Sequence, residues 1–95
     1  MPAYVIADVE VTDPELFAEY RELVEPTVNA FGGRYIARGG QTRLLEGDRA
    51  PNRTVIIEFP SMEQAEAWHG SEDYAHPKDM RIRSTNSHVI IVEGL

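Results

Sequence analysis

Apolar and polar positions alternate along Ala3–Val11, where valine and alanine fill the odd positions and larger or acidic side chains fill the even ones. A period of two indicates a β-strand whose two faces have different surroundings. Residues 53–59 and 87–93 are instead apolar on both faces, as in strands that are covered on both sides. These three segments predict the main strands of one sheet.

A shorter strand is predicted at residues 34–38. Gly39 and Gly40 break it, and an extended segment is expected over residues 42–46. The stretch at 47–52, which is rich in turn-forming residues, then leads into the strand at position 53.

A helix is predicted after the first strand, beginning near residue 14. Either Thr12 and Glu15 form a capping box, or Asp13 caps the helix with Pro14 in the first helical position. Pro26 predicts a kink because proline lacks a backbone N–H, and a pair of glycines ends the helix. Steps of three and four residues predict that these side chains face the core: Leu16, Tyr20, Leu23, Val24, Thr27, Val28 and Phe31.

A second helical region follows the central strand. Ser61 and Gln64 form a capping box, Gly70 interrupts the helix, and Ser71 caps a further helix. In the first part, the helix carries Met62, Ala65 and Trp68. In the second part, the expected inward-facing side chains are Tyr74, Met80 and Ile82.

The element order is therefore β, α, β, β, α, β, which is the ferredoxin-like arrangement of the α+β class. Right-handed crossovers place the helices on one face of a four-stranded antiparallel sheet. Strands that are apolar on both sides leave the other face uncovered, and a large exposed apolar patch marks an interaction surface. We therefore expect one domain over residues 1–95 that forms a homodimer through its open sheet faces.

Composition narrows the range of partners. The 95 residues include nine basic and sixteen acidic side chains, a net charge of −7, and this disfavours nucleic acid. The absence of cysteine excludes disulfides and thiolate metal ligands. The first strand contains Asp8 and Glu10 and follows no basic leader, so it reads as neither a signal peptide nor a membrane span. We expect a cytoplasmic protein with no membrane partner and no cofactor.

Several stretches of the chain resemble one family. They are MPAYVIADVEVTDPELFAEYRELV, NAFGGRYIARGG, LLEGDRAPNRTVIIEFPSMEQAEAWHGSEDY and HVIIVEGL. In content and order they resemble the domain of unknown function 1330 family, within the dimeric α/β barrel group. The resemblance implies a ferredoxin-like monomer whose sheet pairs with a second sheet to form a barrel with the helices outside, and it implies no particular reaction. The chain departs from the family pattern at AHPKD, residues 75–79, where proline interrupts a helical stretch.

The second helical region also carries the candidate site. Arginine can bind a carboxylate with two hydrogen bonds, while tryptophan and tyrosine can form the wall of an apolar pocket. If the protein is catalytic, His69 is the candidate general base and Arg81 the anion-binding group. The candidate ligand-binding residues are Trp68, Tyr74, Arg83, Tyr20 and Glu58. In the alternative interpretation, the aromatic rings serve packing and the arginines pair with surface carboxylates.

The histidines and two mid-strand carboxylates are weaker candidates for a metal site or for acid–base chemistry. The spacing of His69, His76 and His88 matches no zinc motif, so no metal site is predicted. If Asp8 and Glu58 share one sheet face, burial and mutual repulsion raise their pKa values and suit them to acid–base work. In the alternative, each pairs with an arginine of a neighbouring strand, namely Arg34, Arg38 or Arg53.

Three classes of function are considered. One is cofactor-independent acid–base or oxygenase-type chemistry on a small organic anion held between sheet and helices, by analogy with related folds. Another is a non-catalytic dimeric module that binds a small ligand or only itself. Haem binding through one of the three histidines is a third, which no residue favours. The sequence does not decide whether the protein is an enzyme.

The charges are unevenly distributed along the chain. Residues 34–53 contain five arginines against two acids, whereas residues 8–25 contain seven acids against one arginine. Opposite charges of this kind favour either the steering of an anionic ligand or contact between two copies. We favour contact of the acidic helix of one copy with the basic hairpin of another.

Overall fold

The computed structural model describes residues 1–95 as four strands and three helices. In chain order they are β1 (Ala3–Val11), α1 (Pro14–Ala30), β2 (Arg34–Arg38), β3 (Arg53–Phe59), α2 (Met62–His69), α3 (Glu72–Ser84) and β4 (Thr85–Glu93). The strands form one antiparallel sheet in the order β2-β3-β1-β4. This confirms the ferredoxin-like α+β prediction, with the second helical region divided into α2 and α3. No helix has the length and apolar character needed to cross a membrane.

Short polar side chains begin all three helices. Asp13 caps α1, with Pro14 as the first helical residue, so the second of the two predicted starts is the one that forms. Ser61 caps α2 and Ser71 caps α3, each accepting a hydrogen bond from the backbone N–H three residues further on. These bonds satisfy N–H groups that have no partner inside the helix.

Both internal prolines lie within continuous helices. Helix α1 runs past Pro26 to Ala30, and α3 runs past Pro77, which is buried, to Ser84. The departure from the family pattern at residues 75–79 therefore leaves α3 in one piece.

Three local expectations are wrong. Leu23 and Ile82 are 44% and 57% exposed, because each lies one position away from the residue that faces the core. One residue turns the helix by about 100°, so Arg81 takes the inward position beside Met80 and carries Ile82 outward. Residues 42–46 are exposed and form no strand.

The core lies between the helices and one face of the sheet. Val5 of β1 stands opposite Ile57 of β3 and Ile91 of β4, which gives an apolar row across the centre of this face. The largest fully buried apolar side chains are Tyr74, Phe59, Val24 and Val28. Alternation in β1 thus places its valines under the helices, as the sequence predicts.

The opposite face of the sheet carries no helices. Ile6 stands between Ile56 and Ile90 in adjacent strands, so that three isoleucines cross this open face in one row. Ile90 and Val92 are 58% and 44% exposed. An exposed apolar row at the centre of a sheet face is typical of an interaction surface.

Candidate functional site

A cavity of about 40 Å³ lies between the helices and the sheet. One water needs about 10–15 Å³, so there is room in this conformation for a group of a few heavy atoms. Ala7 lies in the floor, where its small side chain leaves space between larger neighbours. The sheet residues of the lining are Val5, Ala7, Val9, Tyr35, Arg38, Arg53, Val55, Ile57 and Val89, and the helix residues are Phe17, Tyr20, Arg21, Val24, Trp68, Tyr74 and Arg81.

Two stacked aromatic rings form one wall of the cavity. The ring centroids of Trp68 and Tyr74 lie 4.1 Å apart. The indole Nε1 of Trp68 donates a 3.0 Å hydrogen bond to Oγ1 of Thr27, which satisfies its polar group inside the core. The wall therefore combines a packing role with a defined orientation of both rings.

Arg81 is the charged group of this wall. It is 8% exposed and donates from Nε to the hydroxyl of Tyr74 at 3.2 Å and from Nη1 to Oγ of Ser87 at 2.6 Å. Both partners are neutral, and the salt bridges of the chain do not include Arg81. Buried guanidinium groups are ordinarily paired with an anion. The last turn of α3, where Arg81 lies, supplies only the partial negative charge of a helix C-terminus.

The hydroxyl of Tyr74 connects this guanidinium to a second tyrosine. The hydroxyl oxygens of Tyr20 and Tyr74 lie 3.2 Å apart, so a chain of hydrogen bonds connects Tyr20, Tyr74 and Arg81. Burial is the main cause that raises the pKa of Tyr20 far above its ordinary value of 10, and burial also raises the pKa of Tyr35 to about 12. These two phenols therefore keep their protons near neutral pH and act as neutral hydrogen-bonding groups.

Three further arginines also line the cavity, namely Arg21, Arg38 and Arg53. Glu25 is the one carboxylate paired with any of them, with its Oε1 at 3.5 Å from Nη1 of Arg38. Desolvation lowers the pKa of Arg53, and the neighbouring charges of Arg21 and Arg38 lower it further. The cavity thus concentrates positive charge in a chain whose net charge is −7.

Four of the seven candidate residues come together at this cavity: Trp68, Tyr74, Tyr20 and Arg81. His69 follows Trp68 on α2 and does not line the cavity, although its ring centroid lies 6.0 Å from that of Tyr74. Desolvation lowers the pKa of His69, with smaller contributions from the charges of Lys78 and Arg81.

The other two candidates lie elsewhere. Arg83 is exposed on α3 and pairs with Asp79, with Nε and Oδ2 2.9 Å apart. Glu58 lies on the open face of the sheet and accepts a 2.8 Å hydrogen bond from Nε of Arg34. Hydrogen bonds from Arg34 and then Tyr4 lower the pKa of Glu58, so of the two alternatives the ion-pair interpretation holds for this residue.

Asp8 lies on the same open face as Glu58, as alternation allows, but four positions along β1 from the residue opposite Glu58. Its Oδ1 accepts a 2.9 Å hydrogen bond from the backbone N–H of Asn52. Asp8 therefore closes the turn before β3 and has no arginine partner. No group of three histidine, aspartate or glutamate side chains is placed to hold a metal ion.

Sequence reasoning did not place Arg21, Arg38, Arg53 or Ser87 at this site, and it considered Arg38 and Arg53 as ion-pair partners of Asp8 and Glu58. Alternation in β3 contained a usable signal for Arg53, since residues 53, 55, 57 and 59 share the face that packs under the helices. The position of Arg38 carried no such signal, because the register of β2 against β3 shifts between Tyr35 and Ala37. Only the assembled fold brings these side chains together.

The fold and the cavity define a class, the small ferredoxin-like α+β proteins with a lined space between sheet and helices. The family model of a domain of unknown function (DUF1330) matches residues 2–95, and the chain belongs to this family. No curated protein matches the sequence.

Solved structures with similar folds have little sequence in common with this chain. A protein of unknown function from Rhodopseudomonas palustris is 19% identical with a TM-score of 0.78, over 99% of this chain and 82% of that one. A dimeric ferredoxin-like protein of unknown function from Jannaschia sp. CCS1 is 12% identical with a TM-score of 0.73, over 99% and 100%. A cofactor-independent oxygenase from Streptomyces nogalater is 12% identical with a TM-score of 0.57, over 99% and 93%. At these identities the likeness concerns the fold alone.

Proposed function

We propose that this protein binds a small organic anion in the cavity, with Arg81 as the group that recognises the negative charge. The observation that carries the proposal is that the buried guanidinium of Arg81 has only neutral partners, the hydroxyls of Tyr74 and Ser87. An anion at this place would compensate a charge that otherwise remains desolvated and unpaired.

The rest of the lining selects for an organic ligand. Most of the sheet residues in the lining are aliphatic, and the stacked rings of Trp68 and Tyr74 form one wall. Ligand sites in proteins usually combine such apolar surfaces with a small number of polar groups that fix orientation. A carboxylate with a short carbon skeleton matches this combination, and the cavity volume of about 40 Å³ favours small ligands.

Calorimetric titration with acetate and propionate tests this proposal. We expect binding by the native protein, loss of that binding in Arg81→Gln, and unchanged binding in Arg83→Gln. The second variant removes the same charge from the same helix, but from an exposed side chain outside the cavity. Absence of binding to any small carboxylate, or equal loss in both variants, would falsify the proposal.

Oxygenase-type chemistry on the bound anion is a second candidate. The hydrogen-bonded chain from Tyr20 through Tyr74 to Arg81 favours it, because such a chain can stabilise negative charge on a ligand oxygen. The fold likeness to the Streptomyces nogalater oxygenase is consistent with this but concerns a chain of 12% identity. His69 remains the predicted base. Oxygen uptake in the presence of a bound ligand, compared between native protein and His69→Gln, tests that role.

We also propose that the protein forms a homodimer through the open face of its sheet. The isoleucine row on the open sheet face supplies an apolar surface, and the similar protein from Jannaschia sp. CCS1 is dimeric. Packing of two such faces would bury Ile6, Ile56 and Ile90 and leave both cavities on the outer, helix-covered sides of the sheets. Each protomer would then carry its own anion site.

A further inference from the structure

Arg21, Arg38 and Arg53 line the same cavity but have no role in the anion site built around Arg81. Arg21 is exposed on α1, and the side chain of Arg38 is 26% exposed, so this cluster lies where the cavity meets solvent. Arg21 and Arg53 take part in none of the salt bridges of the chain, although sixteen acidic residues are available. We name Arg21, Arg38 and Arg53 the mouth cluster.

Arg53 is held in a defined place within the mouth cluster. Its Nε is buried and has no hydrogen-bond partner, which leaves one donor unsatisfied in the free protein. Its guanidinium lies 5.6 Å from the ring centroid of Phe17 and fills the space that a side chain at Gly39 would occupy. Gly39 has a φ of +73° and donates its N–H to the carbonyl of Thr54 at 2.8 Å, so the backbone there is fixed as well.

The sheet register relates this cluster to Arg81. Arg53 and Ser87 both stand opposite Val9, one on each side, and all three face the helices. Two strand spacings separate their backbones, which is about 10 Å. Ser87 is the residue that holds Nη1 of Arg81. Positive groups therefore stand on both sides of Val9, which itself lines the cavity.

We infer that the ligand of this cavity carries two carboxylates, one bound by Arg81 and the other by the mouth cluster, which makes short dicarboxylates the preferred class. This inference rests on the proposed function. Arg53 has a buried donor, Nε, without a hydrogen-bond partner, and Arg81 has a buried charge without an anionic partner. Both residues line the same cavity. A ligand with a single acidic group satisfies one of them and leaves the other.

Titration with matched pairs of acids tests the inference. Succinate and butyrate have the same number of carbons and differ by one carboxylate. At low ionic strength, where screening is weak, we expect the native protein to bind succinate at least about tenfold more tightly than butyrate. We expect Arg53→Gln to abolish the preference, so that the ratio of succinate affinity to butyrate affinity falls to about one.

Two further variants complete the experiment. Arg21→Gln changes an exposed residue of the mouth cluster, so it tests the same prediction in a protein whose core is untouched. Arg43→Gln removes an arginine from the exposed segment between β2 and β3 and is expected to change neither affinity. Circular dichroism and thermal melting confirm that each variant is folded.

The possible failures are distinguishable. Equal affinity of the native protein for succinate and butyrate overturns the inference and leaves the single-anion proposal standing. If both Arg53→Gln and Arg21→Gln retain the preference for succinate, the mouth cluster does not bind the second carboxylate and the inference is overturned. Failure to bind either acid overturns the proposed function as well.

Discussion

Nη1 of Arg81 donates a 2.6 Å hydrogen bond to Oγ of Ser87, which joins the last turn of α3 to the beginning of β4. The two residues are six apart in sequence, and this bond directs the guanidinium toward the cavity. Thr85 strengthens the same connection, because its Oγ1 donates to the carbonyl of Arg81 at 2.6 Å and lies 3.1 Å from Oγ of Ser87.

Ser87→Ala is therefore expected to destabilise the protein by roughly 1–3 kcal/mol, because a buried charged donor loses its partner. The free energy of unfolding from urea titration measures the effect. His88→Ala is the control, since the adjacent side chain is exposed and faces the opposite side of the sheet. Equal stability of the two variants would contradict the assigned hydrogen bond.

The bond between Trp68 and Thr27 leads to a second prediction. Thr27→Val keeps the shape of the side chain but removes the acceptor for Nε1 of Trp68, and should cost roughly 1–3 kcal/mol of stability. Thr27→Ser keeps the hydroxyl and should cost less. Because Trp68 is the single tryptophan of the chain, its fluorescence emission reports the change directly. An unchanged emission spectrum in Thr27→Val would show that the indole has another partner.

His69 is expected to report ligand binding through its pKa. Desolvation, Lys78 and Arg81 hold this pKa below its ordinary value of 6.5. An anion bound at Arg81 reduces one of the two repulsive charges, so the His69 pKa should rise when acetate saturates the site. Proton NMR titration of the imidazole measures it, and Lys78→Gln should raise the pKa in the free protein as well. A pKa that does not respond to acetate would argue against binding at Arg81.

The same shift predicts how stability depends on pH. The pKa of His69 is lower in the folded protein, so below pH 6.5 the unfolded chain binds more protons at this residue. The contribution of His69 therefore lowers stability as the pH falls through 6.5. His69→Gln should remove this part of the dependence in urea titrations from pH 7 to 5, and a slope equal to that of the native protein would contradict the shift.

The open sheet face leads to a prediction about assembly. Ile90→Glu should convert a dimer into a monomer, since it places a charge in the row formed with Ile6 and Ile56. Ile82→Glu is a matched control, because Ile82 is 57% exposed and Ile90 is 58% exposed, but Ile82 lies on α3. Light scattering at micromolar concentration distinguishes the two. Dimers in both variants, or a native monomer, would exclude the sheet face as the interface.

The local elements of this protein could be predicted from its sequence because their causes are local. Alternation in β1 and the caps at Ser61 and Ser71 depend on residues within a few positions of one another. The continuation of α3 past Pro77 was harder to predict from the sequence. Proline removes a backbone hydrogen bond, but the packing of the buried Pro77 side chain within the fold outweighs this loss. The aromatic part of the site was predictable for a similar reason, since Trp68 and Tyr74 lie in consecutive short helices.

The sequence by itself thus determined the order of elements, the caps of α2 and α3 and the uncovered sheet face, and it pointed to Arg81 as an anion-binding candidate. The tertiary structure decided which other charged residues line the cavity together with Arg81. Arg21 and Arg53 lie 32 positions apart in the chain, and they meet only because β3 pairs with β1 and α1 packs across both strands. Registers and crossings of this kind depend on the packing of the whole core, so no short stretch of sequence specifies them.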